Sequence, residues 1–314
     1  MMTKDTAMQA RPKQVEIVEV GPRDGLQNDR QLLPTEIKIE LIRRLAENGL
    51  RRIEATSFVH PKRVPQMADA EDVMRGVAGL PGISLSGLVL NERGFDRALA
   101  TGAFAEVTFA AVASETFSQR NQGTTVQQNL DTWRAIGPRA KAAGLFRSVT
   151  IAAAFGCPFE GEVPVERVVE LARGIAEIGT DELSLADTIG VGTPYDVETR
   201  FTAVREALPG MKLRAHFHNT RNTGYANADA ALRAGVSALD ASLGGIGGCP
   251  FAPEATGNIG TEDLVYMLDR TGVASGASFE GLRATTLWLE EQMSRRLPAQ
   301  TAHVSLFPPA LQAA

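Results

Sequence analysis

The sequence predicts a (β/α)8 TIM barrel of the α/β class with an additional C-terminal helix, and three observations carry the prediction. Short β-branched and apolar runs alternate with longer stretches of helical period, the pattern of repeated βα units around a parallel sheet. The runs number eight in 314 residues, and eight βα units in roughly 250 residues are the measure of a closed barrel. A doubly wound sheet would carry Gly-x-Gly-x-x-Gly after its first strand; GPRDGLQN stands there instead.

The elements follow in order. VEIVEVG, at 15–21, is the first strand, and a helix starts at Pro34 and Thr35, with Ile37, Leu41, Ile42 and Leu45 on one face and Gly49 as its stop. RRIEATSF, from 51, is the second strand. Further strands are SLSGLVL from 84, EVTFAAVA from 106, SVTIAAAFG from 148, ELSLADT from 182, LRAHFHN from 213 and ALDASLGG from 238. Between them TTVQQNLDTWRAIGPRAKAAG, PVERVVELARGIAEIG and TPYDVETRFTAVREALP are each long enough to cross back over a sheet. FEGLRATTLWLEEQMSRRL is the extra helix. The barrel domain is expected over 14–278, with 279–314 as a helix and tail packed on it.

Composition bounds the function. Hydrophobic residues at 44% and charged residues at 22% support a sizeable core and exclude disorder for the bulk of the chain. A net charge of -5 gives no global attraction to nucleic acid. No stretch approaches the ~20 apolar residues of a membrane span. The first residues, MMTKDTAMQARPKQ, lack a secretory apolar run, and the two cysteines form no disulfide framework, so a cytoplasmic protein is expected.

Polar residues at the C-terminal strand ends are read for chemistry first, because a barrel carries its active site there. His216 and His218 alternate on one strand, so both imidazoles leave the same face and can converge on one ion; as a pair of barrel-bonded histidines they would be structural. Asp24, at the end of the first strand, comes near them on closure. Two imidazoles and a carboxylate leave positions open on an octahedral divalent cation, Mg2+ or Mn2+. Arg23 would otherwise be a plain surface ion pair with Asp24; over such a metal its guanidinium suits an enolate oxygen. Glu54, in a buried strand, needs a partner such as Arg23. Cys249 lies in GGIGGCPFAPEATGN, at 244–258, where a glycine-rich loop gives the thiol access to a ligand. Cys157 reads as structural, and His60 and His303 are given no chemistry.

These motifs carry a resemblance. VEVGPRDGLQN at 18–28, EATSFVHPKRVPQM at 54–67, SLADTIGVGTP at 184–194, HFHNT at 216–220 and the glycine-rich loop, followed by TEDLVYML, resemble the 3-hydroxy-3-methylglutaryl-CoA lyase family of the DRE-TIM metallolyase superfamily, over about 14–296. The resemblance implies a metal-dependent carbon-carbon lyase that cleaves the acyl-CoA thioester 3-hydroxy-3-methylglutaryl-CoA, or a close branched relative, to acetyl-CoA and acetoacetate or the matching ketone. It implies a divalent metal held by Asp24, His216, His218 and Asn258, an enolate stabilised by Arg23, and Glu54 supporting that arginine. Asp187 becomes another active-site carboxylate, Gln27 a residue lining the site, Cys249 the loop cysteine, and Asp24 or His216 the acceptor of the substrate hydroxyl proton. One departure is Asn219-Thr220-Arg221-Asn222 after the His-x-His, where the family usually has Asp-Thr-Tyr-Gly. A Claisen-type condensing enzyme and a non-catalytic metal- or acyl-CoA-binding barrel are the alternatives; homo-dimer or homo-tetramer assembly is left open.

Overall fold

The computed structural model describes residues 11–248 and 257–307. Its centre is a closed barrel of eight parallel strands: β1 (Glu16–Glu19), β2 (Arg52–Ser57), β3 (Ser84–Val89), β4 (Glu106–Val112), β5 (Phe146–Ala152), β6 (Glu182–Asp187), β7 (Lys212–Phe217) and β8 (Ala238–Ala241). Each strand pairs with its neighbours in sequence, and β1 closes the ring on β8 with Glu16 opposite Ala238 and Glu19 opposite Ala241. The eight strands expected from the sequence are these eight.

The connecting helices are α1 (Thr35–Glu47), α2 (Ala70–Val77), α3 (Glu92–Ala100), α4 (Glu115–Gln122), α5 (Val126–Ala142), α6 (Val165–Ile178), α7 (Pro194–Ala207), α8 (Gly224–Arg233) and α9 (Thr261–Thr271). Two of the expected long helices begin with capping boxes, Thr125 with Gln128 for α5 and Thr193 with Asp196 for α7, each satisfying two otherwise orphaned groups at the first turn. A small antiparallel hairpin, pairing 156–157 with 161–162, follows β5. The C-terminal helix α10 (Phe279–Met293) packs against α1 and α9. Asn48 Nδ2 donates to Thr285 Oγ1 at 3.0 Å, and the Arg44 guanidinium lies 4.5 Å from the centre of the Trp288 ring.

Alternation splits each strand between two cores. Outward residues such as Phe109, Val149 and Leu183 join the apolar layer beneath the helices, where Phe109 meets Trp133 of α5 with ring centres 5.2 Å apart. The barrel interior is polar. Arg52 of β2 reaches Glu106 of β4 at 2.6 and 2.7 Å and Glu182 of β6 at 2.6 and 2.9 Å, a layer of side chains from alternate strands. Arg214 of β7 stands above them, 3.5 Å from Glu106 and 3.4 Å from Glu182. Every one of these groups is buried, so each charge depends on its neighbours.

No helix among the described residues is long and apolar enough to cross a membrane.

Candidate active site

At the C-terminal end of β1 the chain does not run straight on. The amides of Arg23, Asp24 and Gly25 all point back to the Val20 carbonyl, at 3.2, 2.7 and 3.2 Å, in a π-helical turn over Gly21–Gly25. That curl lays Arg23 and Asp24 across the barrel mouth. A side chain at Gly25 would come 2.6 Å from the Ile246 side chain, so with glycine there Ile246 packs directly on the turn.

Three side chains converge beneath it. Asp24, His216 and His218 offer ligand atoms all within 4.8 Å of one another. His216 Nε2 lies 3.9 Å from Asp24 Oδ2, and the two imidazole rings are centred 5.2 Å apart. The chain just beyond β7 brings in the fourth: a short antiparallel bridge seats Asn258 beside His218, held by Ile259 N to Phe217 O at 3.2 Å and Asn219 N to Gly257 O at 3.1 Å. Asn258 Nδ2 donates to Asp24 Oδ2 at 2.9 Å and to Ile246 O at 3.1 Å. Its buried Oδ1 has no hydrogen-bond partner among the described residues. Gly247 makes this approach feasible: its φ is +112°, and a Cβ there would lie 2.6 Å from Asn258 Nδ2.

A carboxylate, two imidazoles and an amide whose oxygen is buried and unused fit a divalent cation that keeps positions open for substrate. Burial opposes ionisation of Asp24, but Arg23 and the two histidines hold its carboxyl down to about 2. It is an anion throughout the neutral range, as a ligand must be.

Arg23 is clamped from both sides. Its Nε donates to Glu54 Oε2 at 2.6 Å and its Nη1 to Asp24 Oδ1 at 2.5 Å, so the expected pairing with Glu54 is present. Glu54 lies behind the arginine and does not line the pocket; Arg23, Asp24, Gln27, His216 and His218 do. Gln27 is held by Ser57, whose hydroxyl donates to Gln27 Oε1 at 2.8 Å. Asp187 closes β6 as expected, yet it does not line the pocket, and its two oxygens accept from the amides of Val191 and Gly192 at 2.9 Å each. It shapes the loop after β6. Cys249 falls outside the described residues. Cys157 is buried with Sγ 2.9 Å from Ser114 Oγ, His303 pairs with Glu290 at 2.9 Å, and neither lines the pocket.

Sequence reasoning missed Asp240 and Arg214, which also line the pocket. Asp240 Oδ2 sits 2.9 Å from His216 Nδ1, and Asp240 Oδ1 sits 3.0 Å from Arg214 Nε. The signal was present for one of them: Arg214, His216 and His218 alternate, so they share a face. A wider groove of about 890 Å³ lies outside the barrel among α5, α6 and α7. None of the sequence-predicted site residues reaches it.

Residues 14–287 match the family model described as HMGL-like. The chain belongs to the HMGL-like family. It is 42% identical over 300 residues to the mitochondrial hydroxymethylglutaryl-CoA lyase of Mus musculus, covering 96% of this chain and 92% of that protein. With hydroxymethylglutaryl-CoA lyase YngG of Bacillus subtilis the identity is 41% over 293 residues, covering 93% and 98%. The crystal structure of a Bacillus subtilis HMG-CoA lyase superposes with a TM-score of 0.90 over 93% of this chain and 98% of that one, at 41% identity. An HMG-CoA lyase from Acinetobacter baumannii, in complex with coenzyme A and 3-methylmalate, superposes with a TM-score of 0.90 over 96% and 99%, at 36% identity. For this HMGL-like chain the relatives thus bear out the resemblance and the barrel together.

Proposed function

We propose that this chain is a divalent-metal-dependent carbon-carbon lyase that cleaves 3-hydroxy-3-methylglutaryl-CoA to acetyl-CoA and acetoacetate. The observation that carries the proposal is the convergence of Asp24, His216 and His218 beneath Arg23 at the barrel mouth, in a chain of the HMGL-like family. Relatives named hydroxymethylglutaryl-CoA lyase, one of them holding coenzyme A, support an acyl-CoA thioester as substrate.

Asp24, His216, His218 and Asn258 would hold Mg2+ or Mn2+, which supplies a Lewis acid able to lower the pKa of a substrate hydroxyl. Cleavage begins with loss of the C3 hydroxyl proton, and Asp24 and His216 are the groups of the cluster able to accept it. The C3 oxygen becomes the ketone of acetoacetate as the C2–C3 bond breaks, and the bonding pair passes to the thioester as its enolate. Arg23, fixed by Glu54 and Asp24, presents its guanidinium to that developing charge without having to reorganise. Gln27 borders the same space. Cys249, on the glycine-rich loop, delivers the proton to C2 that completes acetyl-CoA. The compartment proposed is the cytoplasm, where the two cysteines of the chain stay reduced.

The test is product analysis by mass spectrometry on 3-hydroxy-3-methylglutaryl-CoA and a panel of branched 3-hydroxyacyl-CoA thioesters. Acetyl-CoA and acetoacetate should form with Mg2+ or Mn2+, stop after exhaustive chelation while circular dichroism is unchanged, and resume on re-addition. Cleavage of none of the thioesters, or full activity after verified metal removal, overturns the proposal.

A further inference from the structure

Asp240 has no part in the reaction just described, and it stands on β8, the strand beside His216. Its Oδ2 is 2.9 Å from His216 Nδ1, and both side chains are buried. An ionised carboxylate can only accept. Arg214 forms an ion pair with the far oxygen, its Nε 3.0 Å away though not aligned for a hydrogen bond, and is itself 3.5 Å from Glu106 and 3.4 Å from Glu182, which Arg52 grips from below. His216 therefore stands at the end of a line of charged groups that starts at the other end of the barrel.

The opposite face of the ring is where chemistry is expected. With the proton on Nδ1, Nε2 carries a lone pair and looks toward Asp24 Oδ2, 3.9 Å away, and toward the ring of His218. A lone pair there is what a divalent cation or an incoming proton needs. The other tautomer would set an N–H against the cluster and leave two lone pairs facing each other between Nδ1 and Asp240. Arg214, two residues back on the same face, carries only donors and cannot do the work of Asp240.

From this geometry we infer that Asp240 is a positioning residue, fixing His216 in its Nδ1–H tautomer so that Nε2 is offered to the Asp24–His218 cluster, with Arg214 fixing Asp240 in turn. The consequence for turnover rests on the lyase reading; the tautomer is a property of the chain itself. An outer carboxylate of this kind orients a ligating imidazole and raises its basicity, and losing it costs roughly 10–100-fold in metal affinity.

The test uses the full chain, labelled with 15N-histidine and freed of metal, at a pH where the imidazoles are neutral; with four histidines, long-range proton–nitrogen correlations can be assigned individually. His216 should carry its proton on Nδ1 in the wild type. In Asp240→Asn, whose amide can donate to Nδ1, the proton should move to Nε2, and Mn2+ affinity by calorimetry should fall about 10–100-fold with unchanged circular dichroism. An Nε2–H tautomer in the wild type overturns the inference, as does Mn2+ binding by Asp240→Asn within twofold of wild type. If Asp240→Asn does not fold, the wild-type tautomer decides alone. These readouts need no substrate, so they stand or fall separately from the product analysis.

Discussion

Arg23→Gln tests whether the arginine at the mouth is there for charge that develops during the reaction or only to satisfy Glu54. The proposed reaction gives it the first job and the ion pair with Glu54 the second, with separable costs. Glu54 is 1% exposed, has Arg23 as its ion-pair partner at 2.6 Å, and its Oε1 has no other partner among the described residues. Breaking a buried pair by removing one member costs about 3–5 kcal/mol. For a chain of this size that is a fall in Tm of roughly 5–8 °C. The second cost is kinetic: a preorganised donor aimed at an oxyanion contributes about 2.7–4 kcal/mol, so turnover should drop roughly 100- to 1000-fold. Adding Glu54→Gln removes the stranded carboxylate, and Tm should recover most of the loss while turnover stays down. Mn2+ affinity should stay within a few-fold in both variants, since Asp24 keeps its Asn258 contact at 2.9 Å. Thermal denaturation, calorimetry and steady-state kinetics on the two variants provide the readings. If the double variant regains turnover along with stability, or if Arg23→Gln loses less than about tenfold, the guanidinium is structural and the enolate is held elsewhere.

Two further predictions concern Cys249 and Glu19. Cys249→Ser should retain Mn2+ affinity and fold but lose turnover, because a hydroxyl is a far weaker acid than a thiol; buried Cys157 is the internal control for a thiol reagent, and near-native rates in the Ser variant would leave Cys249 a packing residue. Glu19 is fully buried, accepts from the amides of Gly21 and Leu243 and from the Thr261 hydroxyl, and burial pushes its carboxyl up to about 7 against those hydrogen bonds. Because the folded value is raised from an ordinary 4.5, the native chain holds a proton the unfolded chain has released. Stability is therefore greatest below the unfolded value and is lost as pH rises through about 7, by about 3 kcal/mol. Glu19→Gln should flatten that decline in Tm between pH 5 and 8 only in part, because Glu262, which accepts from Gly244 N and Thr286, is also pushed to about 7 by burial. An unchanged pH slope would refute the assignment.

What the sequence made legible follows from how far each signal reaches along the chain. Strands and helices are local, so eight alternating runs and the face shared by His216 and His218 could be read directly. The sequence reads as strand through Gly21, but the strand ends at Glu19 because three amides turn back to Val20, and glycine and proline announce a turn without saying which one. Closure is not local at all. Arg52 begins its strand, as do Glu106 and Glu182, and charged residues at strand starts look like solvent-facing ends; the ring buries all three and sets Arg52 against a glutamate 130 residues away. Asp240 escaped for the same reason: in ALDAS it is one carboxylate among small apolar residues, and only the pairing of β7 with β8, Arg214 opposite Ala238, shows that it must face Arg214 and His216. Alternation says which side chains share a face, and closure says which faces meet. Asp24, His216 and His218 could be named from the sequence because each sits in a local motif, whereas the carboxylate 2.9 Å from His216 became visible only when the barrel was closed.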